Sequence, residues 1–257
     1  MRTPVVAGNW KMNPPSALDA TRLALRVREA ADQLPGIETV VCPPAVWLAE
    51  VRRMAGGGGL RIGAQTMHWE EAGAYTGETS PVMLAGLAEF VIVGHSERRQ
   101  YDGETDETVG RKVASAVAHG LRPIAAVGER AEERRAGETS AVVDRQVRAA
   151  IAGLERLGGT GLVIAYEPVW AIGTGDAASP EDAQAVAARI RAILRDKDPD
   201  GADQVPIQYG GSVTADNAAV FFAAPEIDGA LVGGASLRSD EFAAILEAAE
   251  AAAGQPA

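Results

Sequence analysis

The chain carries one cysteine, Cys42, in 257 residues. A lone thiol cannot close an intrachain disulfide, so the fold has no such staple, and a reducing cytoplasmic setting is expected. Cys42 itself reads as a small buried hydrophobe. Basic residues are also short, with 24 Lys and Arg against 35 Asp and Glu and a formal charge of -11. Such a field repels polyanions, which argues against nucleic acid and against an anionic membrane surface as partners. An anionic ligand must then be held by local features rather than by net charge. No apolar run approaches the roughly 20 residues that span a bilayer. The opening MRTPVVAGNW runs straight into a strand without a leader-like apolar region. Linkers and low-complexity tracts are missing too, so residues 1–257 read as a single domain.

What is there is alternation. Hydrophobic residues make up 47% of the chain, enough for a large core. Short apolar runs fall at 4–7, 39–41, 60–63, 90–93, 123–127, 162–166, 205–209 and 229–232, each leading into an amphipathic stretch. Eight β-then-α units without a composition break imply an α/β fold with a parallel sheet. Eight is also the number that closes a (β/α)8 barrel. An open doubly wound sheet carries the same alternation. Several helices announce their starts: Ser16 with Asp19, Ser80 before Pro81, Ser179 before Pro180, and Thr105, Thr139, Thr214 and Ser239. Gly120 and Gly158 stand where helix ends are expected. The glycines at 56–59 read as a turn, since neither Lys-Ser/Thr nor a helix start follows them. Residues 64–79 have no pattern but carry Met67, Trp69 and Tyr75. That much apolar surface on a loop suits a contact with a second copy of the chain.

In a barrel of this kind the chemistry gathers at the C-terminal ends of the strands. The stretch LVIAYEPVWAIGTG, 162–175, is the most telling. A buried apolar run ends at Glu167, where low-dielectric neighbours disfavour the charged carboxylate and suit a general base. Pro168 fixes the exit, Val169, Trp170, Ala171 and Ile172 form an apolar blade, and Gly173, Thr174 and Gly175 close it. Hinged at both ends, the blade is built to fold down and exclude water. A buried strand followed by an ordinary turn fits the same letters. Lys11, at the end of the first strand, reads as a fixed cation for an anionic ligand, with Glu97 as its ion-pair partner. A solvated surface lysine is the plainer reading. His95 starts a short helix, whose N-terminal dipole favours a neutral imidazole able to donate to a carbonyl and shuttle a proton. Gly210-Gly211-Ser212 and Gly233-Gly234-Ala235-Ser236 follow adjacent strands seven and eight. Paired glycine loops there let backbone N–H groups approach a phosphate.

Taken together, GNWK at 8–11, VGHSERR at 93–99, YEPVWAIGTG at 166–175, YGGSV at 209–213 and LVGGASL at 231–237 resemble triosephosphate isomerases. The matches run in order from residue 8 to residue 237. The resemblance implies a single-domain TIM barrel that interconverts dihydroxyacetone phosphate and glyceraldehyde 3-phosphate, using neither metal nor organic cofactor. It implies Glu167 as the base, His95 as the electrophile and Lys11 steadying the enediolate. Asn9 is implied to hold substrate, and Ser96 to hold the neighbourhood of Glu97 or the open form of the base. Gly173, Ser212, Gly233 and Gly234 are implied as phosphate donors, and Ile172 with Leu231 as an apolar clamp over Glu167. A homodimer through the 64–79 arm is implied as the active unit, in the cytoplasm. An isomerase of a longer ketose such as a tetrulose phosphate, or a silent phosphate-metabolite binder, shares much of this pattern. Five positions depart from the family: Ala126 for cysteine, Thr66 for asparagine, Asp102 for phenylalanine, and Asp176-Ala177 for the usual pair at the lid hinge.

Overall fold

Eight short parallel strands close on themselves: β1 (Val5–Asn9), β2 (Glu38–Cys42), β3 (Leu60–Ala64), β4 (Phe90–Val93), β5 (Arg122–Val127), β6 (Val163–Tyr166), β7 (Ile207–Tyr209) and β8 (Gly229–Val232). The computed structural model describes residues 2–171 and 178–254. Closure decides between the two expected architectures. β1 pairs with β2 from Val5↔Glu38 to Asn9↔Cys42, and with β8 from Val5↔Gly229 to Gly8↔Val232. An open sheet would leave one side of β1 bare, so the fold is the (β/α)8 barrel.

Alternation along each strand produces two apolar layers. Val5, Ala7, Val40, Cys42, Phe90 and Ile92 belong to the plug that fills the barrel. Their neighbours Val6, Val41 and Val91 point out into the layer under the helices. Cys42 lies in the plug as expected, and burial pushes its thiol up to about 12, so it is inert at neutral pH.

The helices are α1 (Ala17–Ala31), α2 (Ala45–Ala55), α3 (Pro81–Leu84), α4 (Ser96–Tyr101), α5 (Asp106–Ala118), α6 (Ala131–Arg135), α7 (Thr139–Ile151), α8 (Pro180–Lys197), α9 (Ala218–Phe222) and α10 (Ser239–Ala253). Ser16, Ser80, Thr105 and Ser179 cap α1, α3, α5 and α8 by accepting from the N–H three residues on. Thr139 and Ser239 are instead the first helical residues, and Asn217 rather than Thr214 precedes α9. A cap needs its oxygen aimed at a free N–H, but the Ser239 hydroxyl donates to Asp240 Oδ1. Gly120, with φ of 74°, does follow the end of α5. Gly158 ends no helix, because α7 has already stopped at Ile151.

Candidate active site

The ends of β1, β4, β6, β7 and β8 meet around a cavity of about 330 Å3 lined by Asn9, Lys11, His95, Glu167, Gly210–Thr214, Leu231, Gly233 and Gly234. Most of the expected site residues are thus brought together at one end of the barrel. Ser96 and Glu97 join from behind through hydrogen bonds. Ile172, Gly173, Thr174 and Gly175 lie outside the described residues, as do Asp176 and Ala177.

Glu167 is buried, and both carboxylate oxygens have donors. His95 Nε2 lies 3.1 Å from Oε1, and the Ser96 backbone N–H donates to Oε2 at 3.1 Å. Burial alone would raise this carboxylate's pKa, as its place at a strand mouth leads one to expect. The His95 ring, its hydrogen bond, the Ser96 N–H and Lys11 outweigh burial and hold the pKa below the ordinary glutamate value. The base is therefore kept ionised. Two glycines make room for it. A Cβ at Gly128 would fall 1.7 Å from Glu167 O, and one at Gly210 would fall 2.8 Å from Glu167 Cγ. Any larger residue at 128 collides with the main chain, and any at 210 restricts the swing of the carboxylate.

His95 is the residue before α4, and its Nδ1 accepts the Glu97 backbone N–H at 3.2 Å. Burial works against an imidazolium at this position, but the Glu167 carboxylate and its hydrogen bond outweigh burial and raise the His95 pKa. The Nδ1 bond pulls the other way, since a ring protonated there could not accept that N–H. In both forms Nε2 carries a proton that points at the base.

Lys11 Nζ pairs with Glu97 Oε1 at 2.6 Å. Among the described residues it is the one non-glycine with positive φ, at 51°. Such a conformation costs of order 1–3 kcal/mol and persists where the surroundings enforce it. Here Asn9 Oδ1 accepts the Lys11 N–H at 3.0 Å, and Gln65 Nε2 donates at 2.8 Å each to the carbonyls of Lys11 and Cys42. Gln65, directly after β3, was readable from sequence as a polar group at a strand end and was missed.

Of two further carboxylates, Glu129 carries the same signal, two residues past the end of β5, and Glu104 has none. Glu129 is fully buried; it accepts from Tyr166 Oη at 3.2 Å and from Trp170 Nε1 at 2.9 Å, while its own carbonyl accepts the Val169 N–H. Arg134 stacks over the Trp170 ring at 4.3 Å. The first turn after Pro168, with Ala171 buried, is thus anchored to the loop after β5. Glu104 accepts the Gly94 N–H at 2.9 Å, just before His95, and pairs with Arg98 and Lys112. The partners of Glu104 lie on helices whose facing is unread, so local pattern could not single it out.

Three departures find their places. Asp102 pairs with Arg98 at 3.3 Å at an exposed position, while Arg99 turns to Asp106. Thr66 joins the Lys112–Glu104 group. Ala126 is buried beside Gly94. Among the described residues no group of three or more His, Cys, Asp or Glu converges as metal ligands would. No helix in the described residues is long and apolar enough to cross a membrane.

The arrangement offers an ionised base, a ring N–H, a lysine and two glycine loops around one small cavity. The sequence profile of triosephosphate isomerase matches residues 4–249. The chain is 48% identical over 248 residues to the triosephosphate isomerase of Alkaliphilus oremlandii and 50% identical over 248 residues to that of Herpetosiphon aurantiacus, covering 96% of this chain and 99% of each relative. It is 49% identical over 254 residues to the enzyme of the same name from Vibrio cholerae, covering 97% and 98%.

Proposed function

The chain belongs to the triosephosphate isomerase family and isomerises a triose phosphate, and we propose that Glu167 is the base that carries the reaction. The observation that carries this reading is the buried, ionised carboxylate in direct contact with His95 Nε2 at the cavity. When dihydroxyacetone phosphate enters, its carbonyl oxygen replaces the Glu167 carboxylate at Nε2–H. The carboxylate then turns to C1 and takes a proton from it. His95 polarises the carbonyl and moves a proton between the two oxygens of the enediolate, while Lys11 balances the developing negative charge. Glu167 returns its proton to C2, which gives glyceraldehyde 3-phosphate without any external reactant.

Asn9 fixes Lys11, and Ser96 N–H holds the base in its resting position. Ser212, Gly233 and Gly234, with Gly173 from the lid, supply backbone donors to the phosphate. Pro168 to Gly175 act as the lid, with Ile172 and Leu231 clamping Glu167. Water exclusion matters because an exposed enediol phosphate eliminates its leaving group.

The active unit is a homodimer, built through the 64–79 arm. Met67 and His68 are buried in their own chain, but residues 70–78 are all exposed, Tyr75 among them. Met12, next to Lys11, is 93% exposed, a cost that a second copy's arm would remove. A coupled assay with triose and tetrose phosphates side by side tests the substrate, with turnover of the triose expected. Sedimentation tests the assembly: a fully active monomer overturns the role of the arm.

A further inference from the structure

A second hollow, of about 550 Å3, lies against the site cavity. Arg22 and Arg26 of α1 form one side; Arg238, Asp240 and Glu241 form the other. Arg238 and Glu241 line both cavities, so this pair is the wall between them. Arg238 bonds to Glu241 through its guanidinium and reaches the Gly234 carbonyl at 3.4 Å. It therefore touches one of the two glycine loops from outside.

The charges around the mouth are unevenly committed. Lys11 is bound to Glu97 and Arg238 to Glu241. Arg22 and Arg26 stand one turn apart on the exposed face of α1, and among the described residues neither has a carboxylate within ion-pair distance. Asp240, the other acid of the hollow, takes the Ser239 hydroxyl at 3.2 Å. Three guanidinium groups thus face two carboxylates in a chain whose formal charge is -11. Guanidinium groups bind phosphate oxygens through paired, charge-assisted hydrogen bonds.

We propose that this hollow is a second anion site, which takes the dianionic phosphate of a phosphate monoester between Arg22, Arg26 and Arg238 and passes it across the Arg238–Glu241 wall to the glycine loops. The site itself needs only the arginines; its role in loading substrate rests on the triose phosphate reading above. A local positive potential raises the encounter rate of an anion and loses that effect in salt.

Inorganic phosphate is the probe. Its titration at low ionic strength, followed by NMR, should shift the arginine Nε–H signals of Arg22 and Arg26 with an affinity distinct from that at the Gly233 and Gly234 amides. The double variant R22Q/R26Q should lose the first response and keep the second. Its kcat/KM for dihydroxyacetone phosphate should fall about three- to tenfold at low salt and rejoin wild type as salt is raised, with kcat held. R53Q/R156Q removes the same charge near the opposite end of the barrel and should match wild type throughout. Shifts confined to the loop amides, or salt curves that run parallel for R22Q/R26Q and wild type, overturn the proposal. A wild type that shows the arginine shifts but turns over no triose phosphate upholds the anion site and refutes the catalytic reading instead.

Discussion

At the floor of the barrel, where the strands begin, Arg191 of α8 is as deeply buried as any group at the mouth. Its guanidinium donates to the carbonyls of Ala202 and Val205 and to the carboxylates of Glu226 and Asp228, at 2.5–3.0 Å. Arg2 closes the group on Asp228 at 2.7 Å. At the mouth Glu167 has two donors and then open cavity. The electrostatics run in opposite directions. Burial wins at the floor, raising the Asp228 pKa despite Arg2 and Arg191, and lowering that of Arg191. At the mouth the donors win, and Glu167 stays ionised. A charge saturated by its own chain fixes geometry. One left with a face to a cavity is available for chemistry.

The sharpest way to break this contrast is Glu167→Gln. Turnover should drop by about 10³-fold or more, while the thermal midpoint stays within a few degrees of wild type. A large loss of stability with turnover per folded molecule preserved would erase the distinction between mouth and floor.

The floor should answer in reverse. Arg191→Met strands Asp228 and Glu226 without their cation, and urea melts should register a loss of about 3–5 kcal/mol. Turnover of the fraction that remains folded should hold. Adding Asp228→Asn should recover part of the stability, because the orphaned charge is then gone.

Lys11→Met tests whether the lysine faces outward as the base does. Losing a charged partner to the substrate is expected to cost about ten- to hundredfold in kcat/KM. Unchanged kinetics would mean that the glycine loops hold the anion alone.

The smallest effect concerns acid. Burial would raise the Glu104 pKa, but Lys112, the Gly94 N–H and Arg98 bring it below the ordinary value. A carboxylate whose folded pKa lies below its unfolded one adds stability above the unfolded pKa, near 4.3. That stability is lost as pH falls through the folded pKa. Glu104→Gln should therefore lose about 1–2 kcal/mol at neutral pH and show a flatter stability curve below about pH 4. Urea midpoints from pH 3 to pH 7 would reveal it, and equal slopes for both proteins would refute it.

The same contrast explains what was legible in the letters. Strands β1 to β8 could be read because each is a short apolar run, and the mouth residues because they follow those runs directly. Glu167, His95 and Lys11 advertise themselves by position alone. The Arg191 group does not, since it joins residues 2, 191, 203, 226 and 228 through a closure that no local window contains. Glu104 stayed hidden for the same reason. Burial of Glu167 can be guessed from an apolar run, whereas the His95 ring and Ser96 N–H that outweigh it lie about 70 residues away, so the direction of the shift is not legible locally. Helix starts were read well where a hydroxyl precedes proline, and slipped by one where Ser239 had Asp240 as a nearer partner.

The pairing of β1 with β8 also sets a schedule. β1 is made before the other seven strands, yet its second neighbour ends at Val232. At about 5–20 residues per second the nascent chain waits roughly ten to forty-five seconds between the two. Until then one edge of β1 is an unpaired row of amides and carbonyls, open to strands of other chains. Asn9 and Lys11 meanwhile face no phosphate loops. The ring can therefore close only after the ribosome has delivered β8, more than 200 residues behind β1.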